Sequence, residues 1–172
     1  ALKGDGTWHL LMGVSEGGRL RLYVDGRLQQ STVAATPLAL SDGTVRLGHD
    51  GEAAVFRGGI GRLWVFNRAL NETEARLLFE AQRQMDPLRG LVAHYPLNGN
   101  GEDVSGQNRP LKLEGCQPAV DRHGLANCAL AFDGAENWAG TMSSGVPTGR
   151  APRTLALWAW RDANQTAARA GV

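Results

Sequence analysis

Lysine is nearly absent from this chain, neither sign of charge is in excess, cysteine occurs only twice, and no apolar stretch is long. Each shortage removes a class of function. The 18 Lys and Arg against 17 Asp and Glu leave a formal net charge of +1, which gives no global field to draw the protein to nucleic acid or to an anionic membrane. A partner must therefore be recognised by a local patch. A dense basic stripe interleaved with aromatics, the footprint of a nucleic-acid binder, is missing as well. No apolar run approaches the length of a membrane span, so no membrane insertion is expected. Lysine stands only at Lys3 and Lys112, a bias toward arginine that reads as coding preference before function. The two cysteines have neither a Cys-x-x-Cys partner nor a histidine at ligand spacing, which argues against a zinc site. No basic segment followed by an apolar one opens the chain, and the frame is expected to be a piece of a longer protein.

What is present is turn chemistry and alternation. Among 172 residues there are 23 glycines, 42% hydrophobic and 20% charged residues, a composition that suits a turn-rich folded domain and argues against disorder. Leu20, Leu22 and Val24 alternate with Arg19, Arg21 and Tyr23, the period of a strand with one buried face. Asp25-Gly26 then supplies the positive-φ residues of a tight hairpin. Strands are predicted at 7–14, 19–25, 27–33, 44–48, 60–66, 91–97, 111–114, 128–133, 138–142 and 154–161. Short strands punctuated by Gly, Asp and Pro indicate a sandwich or barrel. One helix is predicted over 72–83, burying Ala75 and Leu78, with Leu77 and Ala81 as further candidates at helical spacing. Asn71 is its N-cap, and Glu74 three residues on completes a capping box. Asp86-Pro87 ends it, which makes 85–89 the best linker.

Several of these segments carry a resemblance. "GTWHLLMGV" and "LRLYVDGRL", followed by "GGIGRLWVFNRALNETEARLLFEAQ", resemble the C-terminal half of a laminin-G-like, concanavalin A-like jelly roll. "GLVAHYPLNGNGEDVSGQNRPLKLEG", "DRHGLANCALAFDG" and "RTLALWAW" resemble the N-terminal half, which here comes second. The resemblance implies an all-β, antiparallel β-sandwich with one short helix. It also implies a permuted frame in which residues 1–86 are the C-terminal half of one jelly roll and 87–172 the N-terminal half of another. Either the halves close into one permuted sandwich by pairing 60–66 with 91–97, or each completes a domain with sequence outside this frame. The first is favoured, because two half-domains leave sheet edges and apolar faces uncovered.

The same superfold hosts glycoside hydrolases, which place two carboxylates on either side of the scissile bond. No strand here carries acids spaced as Glu-x-Asp-x-x-Glu. Glu72 and Glu74 sit at a helix start, where they complement the dipole, and Glu102-Asp103 lie in a Gly/Asn-rich turn. No catalytic residue is expected. Asp103-Val104-Ser105-Gly106-Gln107-Asn108 resembles the family's Asp-x-Ser-Gly-x-Asn turn, and Asp133-Gly134 its Phe-Asp-Gly strand end. The resemblance implies a structural Ca²⁺ held by Asp103, Asn108 and Asp133; no other cofactor is required. Against it, Gly61-Arg62 stands where the family often has an acid, and Asp103 and Asp133 can instead close Asx-turns. Trp8, Trp64 and Trp158 occupy positions where the family keeps core aromatics. Trp138 and Trp160, with Arg161 beside the latter, have polar neighbours and are the candidates for stacking on a sugar. Arg19 and Arg21 on one strand face, joined by Arg46 or Arg62, form a candidate patch for sulfated glycans or acidic proteins, the alternative being a solvated face.

Cys116 and Cys128 flank a short segment, and neighbouring antiparallel strands can bring such residues together. A disulfide there would stabilise by about 3 kcal/mol and place the protein in an oxidising compartment; the alternative is two buried thiols. The sequons at Asn71 and Asn164 also point to the secretory route. The expected function is a non-catalytic extracellular or cell-surface recognition or adhesion module, with a glycan or glycoprotein as partner. The alternatives are a structural repeat packing against neighbouring copies in a filament or matrix, and an accessory module of a glycosidase.

Overall fold

The computed structural model describes residues 4–33, 45–49, 55–80, 89–141 and 145–163. In chain order its elements are β1 (His9–Glu16), β2 (Arg19–Val24), β3 (Arg27–Val33), β4 (Arg46–Leu47), β5 (Arg57–Phe66), α1 (Glu72–Glu80), β6 (Leu91–Tyr95), β7 (Leu111–Glu114), β8 (Gln117–Ala119), β9 (Ala129–Asp133), β10 (Trp138–Thr141) and β11 (Arg153–Arg161). An eight-stranded sheet runs in the order β3-β2-β1-β11-β5-β9-β8, with β6 also paired to β5, and a three-stranded sheet runs β4-β10-β7. All pairs are antiparallel. The protein is an all-β sandwich with one short helix, as its sequence pattern predicts.

Strands from both sides of the 81–88 segment share the large sheet. β11 lies between β1 and β5, with Leu157 opposite Leu11 on one side and Leu63 on the other. β6 pairs with β5 through Leu63↔Tyr95, Trp64↔His94 and Val65↔Ala93. Side chains alternate across these strands, so each feeds two cores. On the inner face Leu11, Leu63, Val65, Tyr95 and Leu157 pack with Leu47, Leu111 and Ala139 of the small sheet. On the outer face Leu10, Met12, Tyr23, Trp64, Phe66 and Trp158 lie under Leu70, Ala75 and Leu78 around α1. Near-continuous burial along β5 and β11 follows from this double covering.

The helix begins where its cap predicts. Asn71 Oδ1 accepts from Glu74 N at 2.9 Å, and Asn71 N donates back to Glu74 Oε2 at 2.8 Å. Arg68 Nη1 holds the other oxygen of Glu74 at 2.7 Å. The helix is described from Glu72 to Glu80; the predicted continuation to 83 lies outside the described residues, as do most of the 85–89 linker and Asn164.

Two features escaped the sequence pattern. β8 contains Pro118, which suits an edge strand, because proline has no N–H to donate to a further neighbour. In β5, Ile60 and Leu63 both face the inner core, although alternation would place Ile60 and Arg62 together. The ladder with β11 steps from Gly61↔Trp158 to Leu63↔Leu157, leaving Arg62 as the extra residue of a β-bulge.

Candidate functional site

The bulge marks a fork in the large sheet. Along the edge of β5 away from β11, residues 57–60 pair with β9 and residues 63–66 with β6. Arg62 lies where the two partner strands diverge, with φ at +54°, in the left-handed region that a branched or long side chain rarely adopts. The fork opens into a cleft of about 220 Å³ lined by Trp8 and Trp158 on the outer face, Gly61 and Arg62 on β5, Pro96 and Asn98 beyond β6, and the 121–128 turn before β9. Leu97, between two lining residues, has φ at +60°, and Asn127, beside the lining Cys128, has φ at +58°. Backbone strain of this kind costs of order 1–3 kcal/mol per residue and persists where surrounding contacts impose it.

Two guanidiniums meet on an aromatic floor. Arg122 lies 4.5 Å from the Trp158 ring centroid and Arg62 lies 5.9 Å from that of Trp64, both within cation–π range. The His94 ring stacks on Trp64 at 5.6 Å and 16°, and the Trp158 ring also meets Phe79 of α1 at 5.8 Å. Burial, and then the positive charge of Arg62, push the His94 and Arg122 pKa values down. The two arginines are therefore close enough to repel. Asp121 supplies the opposite charge in the wall. Its Oδ1 accepts from the backbone N–H groups of His123 at 2.8 Å and Leu125 at 2.9 Å. Burial alone would raise this carboxyl, but those donors and the charges of His123 and Arg122 hold it low.

One polar atom of a residue that lines the cleft is unmatched. Trp158 is 7% exposed and its Nε1–H, buried, has no hydrogen-bond partner, as does His94 Nε2 nearby. Buried indole N–H groups usually find an acceptor. The cleft thus brings together two tryptophan rings, two arginines, Asp121 and His123.

The residues singled out from the sequence lie elsewhere and apart. Trp138 sits on β10 with Ala139 facing the core, so its ring lies on the outer surface of the small sheet, already flanked by Arg46 at 4.7 Å and Lys112 at 5.5 Å. Trp160 and Arg161 end β11 in the other sheet. Trp160 packs edge-on against Trp8 at 6.4 Å, a neighbour of the cleft rather than part of its lining. Trp138 and Trp160 are thus on opposite sides of the sandwich and form no common surface. Trp64 and Trp158 are core residues at 6% and 7% exposure, as their positions suggested, yet Trp158 also faces the cleft. The expected arginine patch does not assemble. Arg21 pairs with Glu16 at 2.8 Å, Arg19 reaches Ser31, Arg46 is in the small sheet, and Arg62 is in the fork.

The ligand set expected for calcium is divided as well. Asp103 Oδ1 accepts from His94 N at 3.0 Å and Ser105 N at 2.9 Å, and Oδ2 from Arg109 N at 3.0 Å. Asp133 closes its own turn onto Ala135 N at 2.7 Å. Asp103 is anchored to His94, opposite Trp64, whereas Asp133 is opposite Arg57. Seven positions of strand separate them, about 20 Å, so they cannot share one ion with Asn108. Among the described residues no group of three His, Cys, Asp or Glu side chains is arranged to hold a metal. The disulfide is corrected on similar grounds. Both cysteines are free thiols, and the ladder Gln117↔Ala131, Ala119↔Ala129 sets Cys116 and Cys128 four positions apart in register. That is about 13 Å, against under 7 Å between Cα atoms for a disulfide. Cys116 Sγ instead approaches Trp138 O at 3.2 Å.

With this geometry in place, comparison with known proteins is informative for part of the chain. Residues 3–76 match the concanavalin A-like lectin/glucanases superfamily, in its laminin G 3 family. At the level of that superfamily the match supports a carbohydrate-binding or adhesion-type module. No curated protein and no solved structure matches the chain. The laminin G match covers Trp8, Gly61 and Arg62; the remainder of the cleft, from Pro96 to Trp158, lies beyond it. Among the described residues no helix is long and apolar enough to cross a membrane. A signal for the cleft was present in the sequence: the apolar spacing of Ile60 and Leu63, three apart where alternation requires two, locates the bulge and hence Arg62.

Proposed function

We propose that this protein is a non-catalytic recognition module that binds a glycan or glycoprotein outside the cell, using the cleft at the β5 fork. The observation that carries this reading is a cleft of about 220 Å³ lined by the Trp8 and Trp158 rings together with Arg62 and Arg122. Sugars present C–H faces that stack on rings and hydroxyls that need hydrogen bonds, and the cleft offers both. The domain frame follows the same reading: residues 1–86 and 87–172 are complementary laminin-G-like halves closing into one permuted sandwich. The test is a glycan-array screen of the full chain, repeated with Arg122→Ala. Retention of a saccharide class, weakened at least tenfold by the substitution, supports the reading; silence across the array refutes it.

A second reading rests on the sheet edges. β8 protects one edge by being short and carrying Pro118, whereas β3 is exposed at every position over seven residues, with Leu28 44% and Val33 66% exposed. Long, flat, apolar-bearing edges favour strand addition. In this reading the protein is a structural repeat that assembles with copies of itself through β3. Concentration-dependent mass in light scattering, abolished by Gln30→Pro on that edge, would support assembly.

A further inference from the structure

We infer that residues 4–8, the arm before β1, form a latch that opens when His9 loses a proton, and that this latch sets how firmly Trp8 is held in the wall of the cleft. The inference concerns the free protein and stands apart from the glycan reading.

The geometry at His9 demands two donors from one ring. Its Nδ1 lies 2.8 Å from Asp25 Oδ2, and its Nε2 lies 3.4 and 3.3 Å from the two oxygens of Asp5. Carboxylates only accept, and a neutral imidazole has a single N–H, so only the imidazolium serves both. The Thr7 hydroxyl sharpens the conflict: it donates to Asp5 Oδ1 at 2.7 Å and lies 2.9 Å from His9 Nε2. Once Nε2 carries a lone pair, that one hydroxyl proton must serve either the ring or Asp5.

The two sides of the clamp differ in what else holds them. Asp25 is fixed in the β2–β3 turn, where its Oδ1 accepts from Leu10 N at 3.0 Å and its N donates to Leu10 O at 2.9 Å. Asp5 is exposed, and apart from His9 its carboxylate bonds to Thr7 of the same arm. Between them Gly6 has φ at +74° with open space around it, a joint on which the Asp5 end can swing. Loss of the proton therefore keeps the Asp25 bond and gives up the Asp5 one.

The charged groups facing the ring are Asp25 from the turn and Asp5 from the arm; β11 places Ala159 opposite His9, and its Arg161 lies beside Gly4 at the head of the arm. Asp5 stays ionised, because the Thr7 hydroxyl and amide hold its pKa down at about 2. Burial lowers the His9 pKa, but the bonds to Asp25 and Asp5 more than compensate and raise it. The latch is thus closed below the ordinary histidine value of about 6.5 and opens as pH rises through the raised folded value. Trp8 is coupled to it by position, between Thr7 and His9. Its ring lies against β5, where a Cβ on Gly59 or Gly61 would come within 3.0 or 3.6 Å of it, and meets Trp160 at 6.4 Å. Two glycines give the ring its seat, and the clamp fixes the backbone that delivers it.

The test is NMR of the full chain between about pH 5.5 and about pH 8.5. The His9 ring protons report its ionisation, amide exchange of Thr7, corrected for its intrinsic rise with pH, reports the arm, and the Trp8 indole N–H shift reports the cleft wall. All three are expected to titrate with one midpoint above about 6.5, and Thr7 protection to fall about fivefold or more across it. Asp5→Asn keeps an oxygen for Thr7 N and presents an amide N–H to the neutral ring, so it should hold the arm at the high end of the range. His9→Gln cannot ionise and should remove the titration. A His9 midpoint at or below about 6.5, Thr7 exchange that ignores the titration, or a pH dependence that persists in His9→Gln overturns the latch. A Thr7 response that leaves the Trp8 shift unmoved overturns its link to the cleft. None of these outcomes depends on a ligand, so the glycan reading stands or falls separately.

Discussion

Replacing Asp103 separates a structural anchor from a metal ligand. Its carboxylate draws three backbone N–H groups together, those of His94 in β6 and of Ser105 and Arg109 in the loop that follows. The loop so held also places Arg109, whose Nη1 donates to Val92 O at 2.7 Å and whose carbonyl receives the buried Tyr95 hydroxyl at 2.8 Å. A hydrogen bond to an ionised group contributes about 1.5–3 kcal/mol, and partial exposure screens part of it. Three such bonds at the low end make Asp103→Ala destabilising by about 3–4 kcal/mol. Asp103→Asn retains an acceptor oxygen but loses the charge and one acceptor position, and should cost about 1–2 kcal/mol. Burial tends to raise this carboxyl, yet the three donors outweigh it and set its pKa below the ordinary value. Its stabilising contribution is therefore complete above the unfolded carboxyl pKa of about 4 and is lost as pH falls through the lower folded value. The wild type's advantage over Asp103→Asn should be full at neutral pH and reduced at about pH 3, below the unfolded carboxyl value.

The assay is urea unfolding followed by tryptophan fluorescence, run with millimolar Ca²⁺ and with chelator at both pH values. The N–H dipoles direct their positive ends at both carboxylate oxygens, an arrangement that opposes a cation. The anchor reading thus predicts a large loss of stability in Asp103→Ala that is the same in Ca²⁺ and chelator. A variant within about 1 kcal/mol of wild type in chelator, paired with a Ca²⁺-dependent stabilisation present only in the wild type, would refute the reasoning, since a three-donor anchor should cost several times that.

Three other expectations follow from single positions. Thr154 is fully buried; its Oγ1 donates to Arg68 O at 2.8 Å and accepts from Leu70 N at 3.0 Å. Thr154→Val strands both backbone groups and should lower unfolding free energy by about 2–4 kcal/mol, whereas Thr154→Ser should cost about 1 kcal/mol; denaturant titration reads both. Gly48 has φ at +90°, and a Cβ there would collide with the Phe132 ring and lie 2.9 Å from Asn137 O. Gly48→Ala should therefore destabilise by more than about 3 kcal/mol or prevent folding, measured by thermal melting. His9 is bound by Asp25 at 2.8 Å and Asp5 at 3.3 Å; burial lowers its pKa, but the two carboxylates more than compensate and raise it. Its contribution is complete below the ordinary histidine value of about 6.5 and is lost as pH rises through the raised folded value. Asp25→Asn, which keeps an oxygen for Leu10 N, should flatten the fall in stability between pH 6 and 8 in urea titrations.

The pattern of strands was legible wherever one face is buried and the other solvated, because alternation is then a direct imprint of the pleat. β2 departs from this: Tyr23, grouped with Arg19 and Arg21 by alternation, is turned to the outer core, while Leu22 is 36% exposed, beside a register shift in the ladder with β3. Helix α1 was legible for a different reason: Asn71 and Glu74 satisfy each other within one turn, so the signal needs no tertiary partner. What the sequence hid depends on register. Cys116 and Cys128 are close along the chain, but their separation in space is fixed by β8 pairing with β9, and β8 was masked by Pro118. Asp103 and Asp133 sit in turns of matching type at opposite ends of β5. The cleft was hidden most thoroughly, since its walls come from segments before β1, within β5, after β6, before β9 and within β11, and no local window contains more than a fraction of it.

That dispersal ties the site to the way the chain closes. Trp8 and Arg62 precede the 81–88 segment, while Arg122 and Trp158 follow it. They meet because β11 enters the sheet between β1 and β5 and because β6 and β9 share the opposite edge of β5. A sheet is indifferent to the order in which its strands are connected so long as each finds its hydrogen-bonded neighbours and buries its faces. Strands from either side of the 81–88 segment can therefore build one sandwich. The bulge at Arg62 lies at this junction: β6 and β9 leave residues 61 and 62 of β5 between them, and Trp158 of β11, which lines the same cleft, pairs with Gly61 on the other side. The cleft is assembled from strands and turns on both sides of the 81–88 segment.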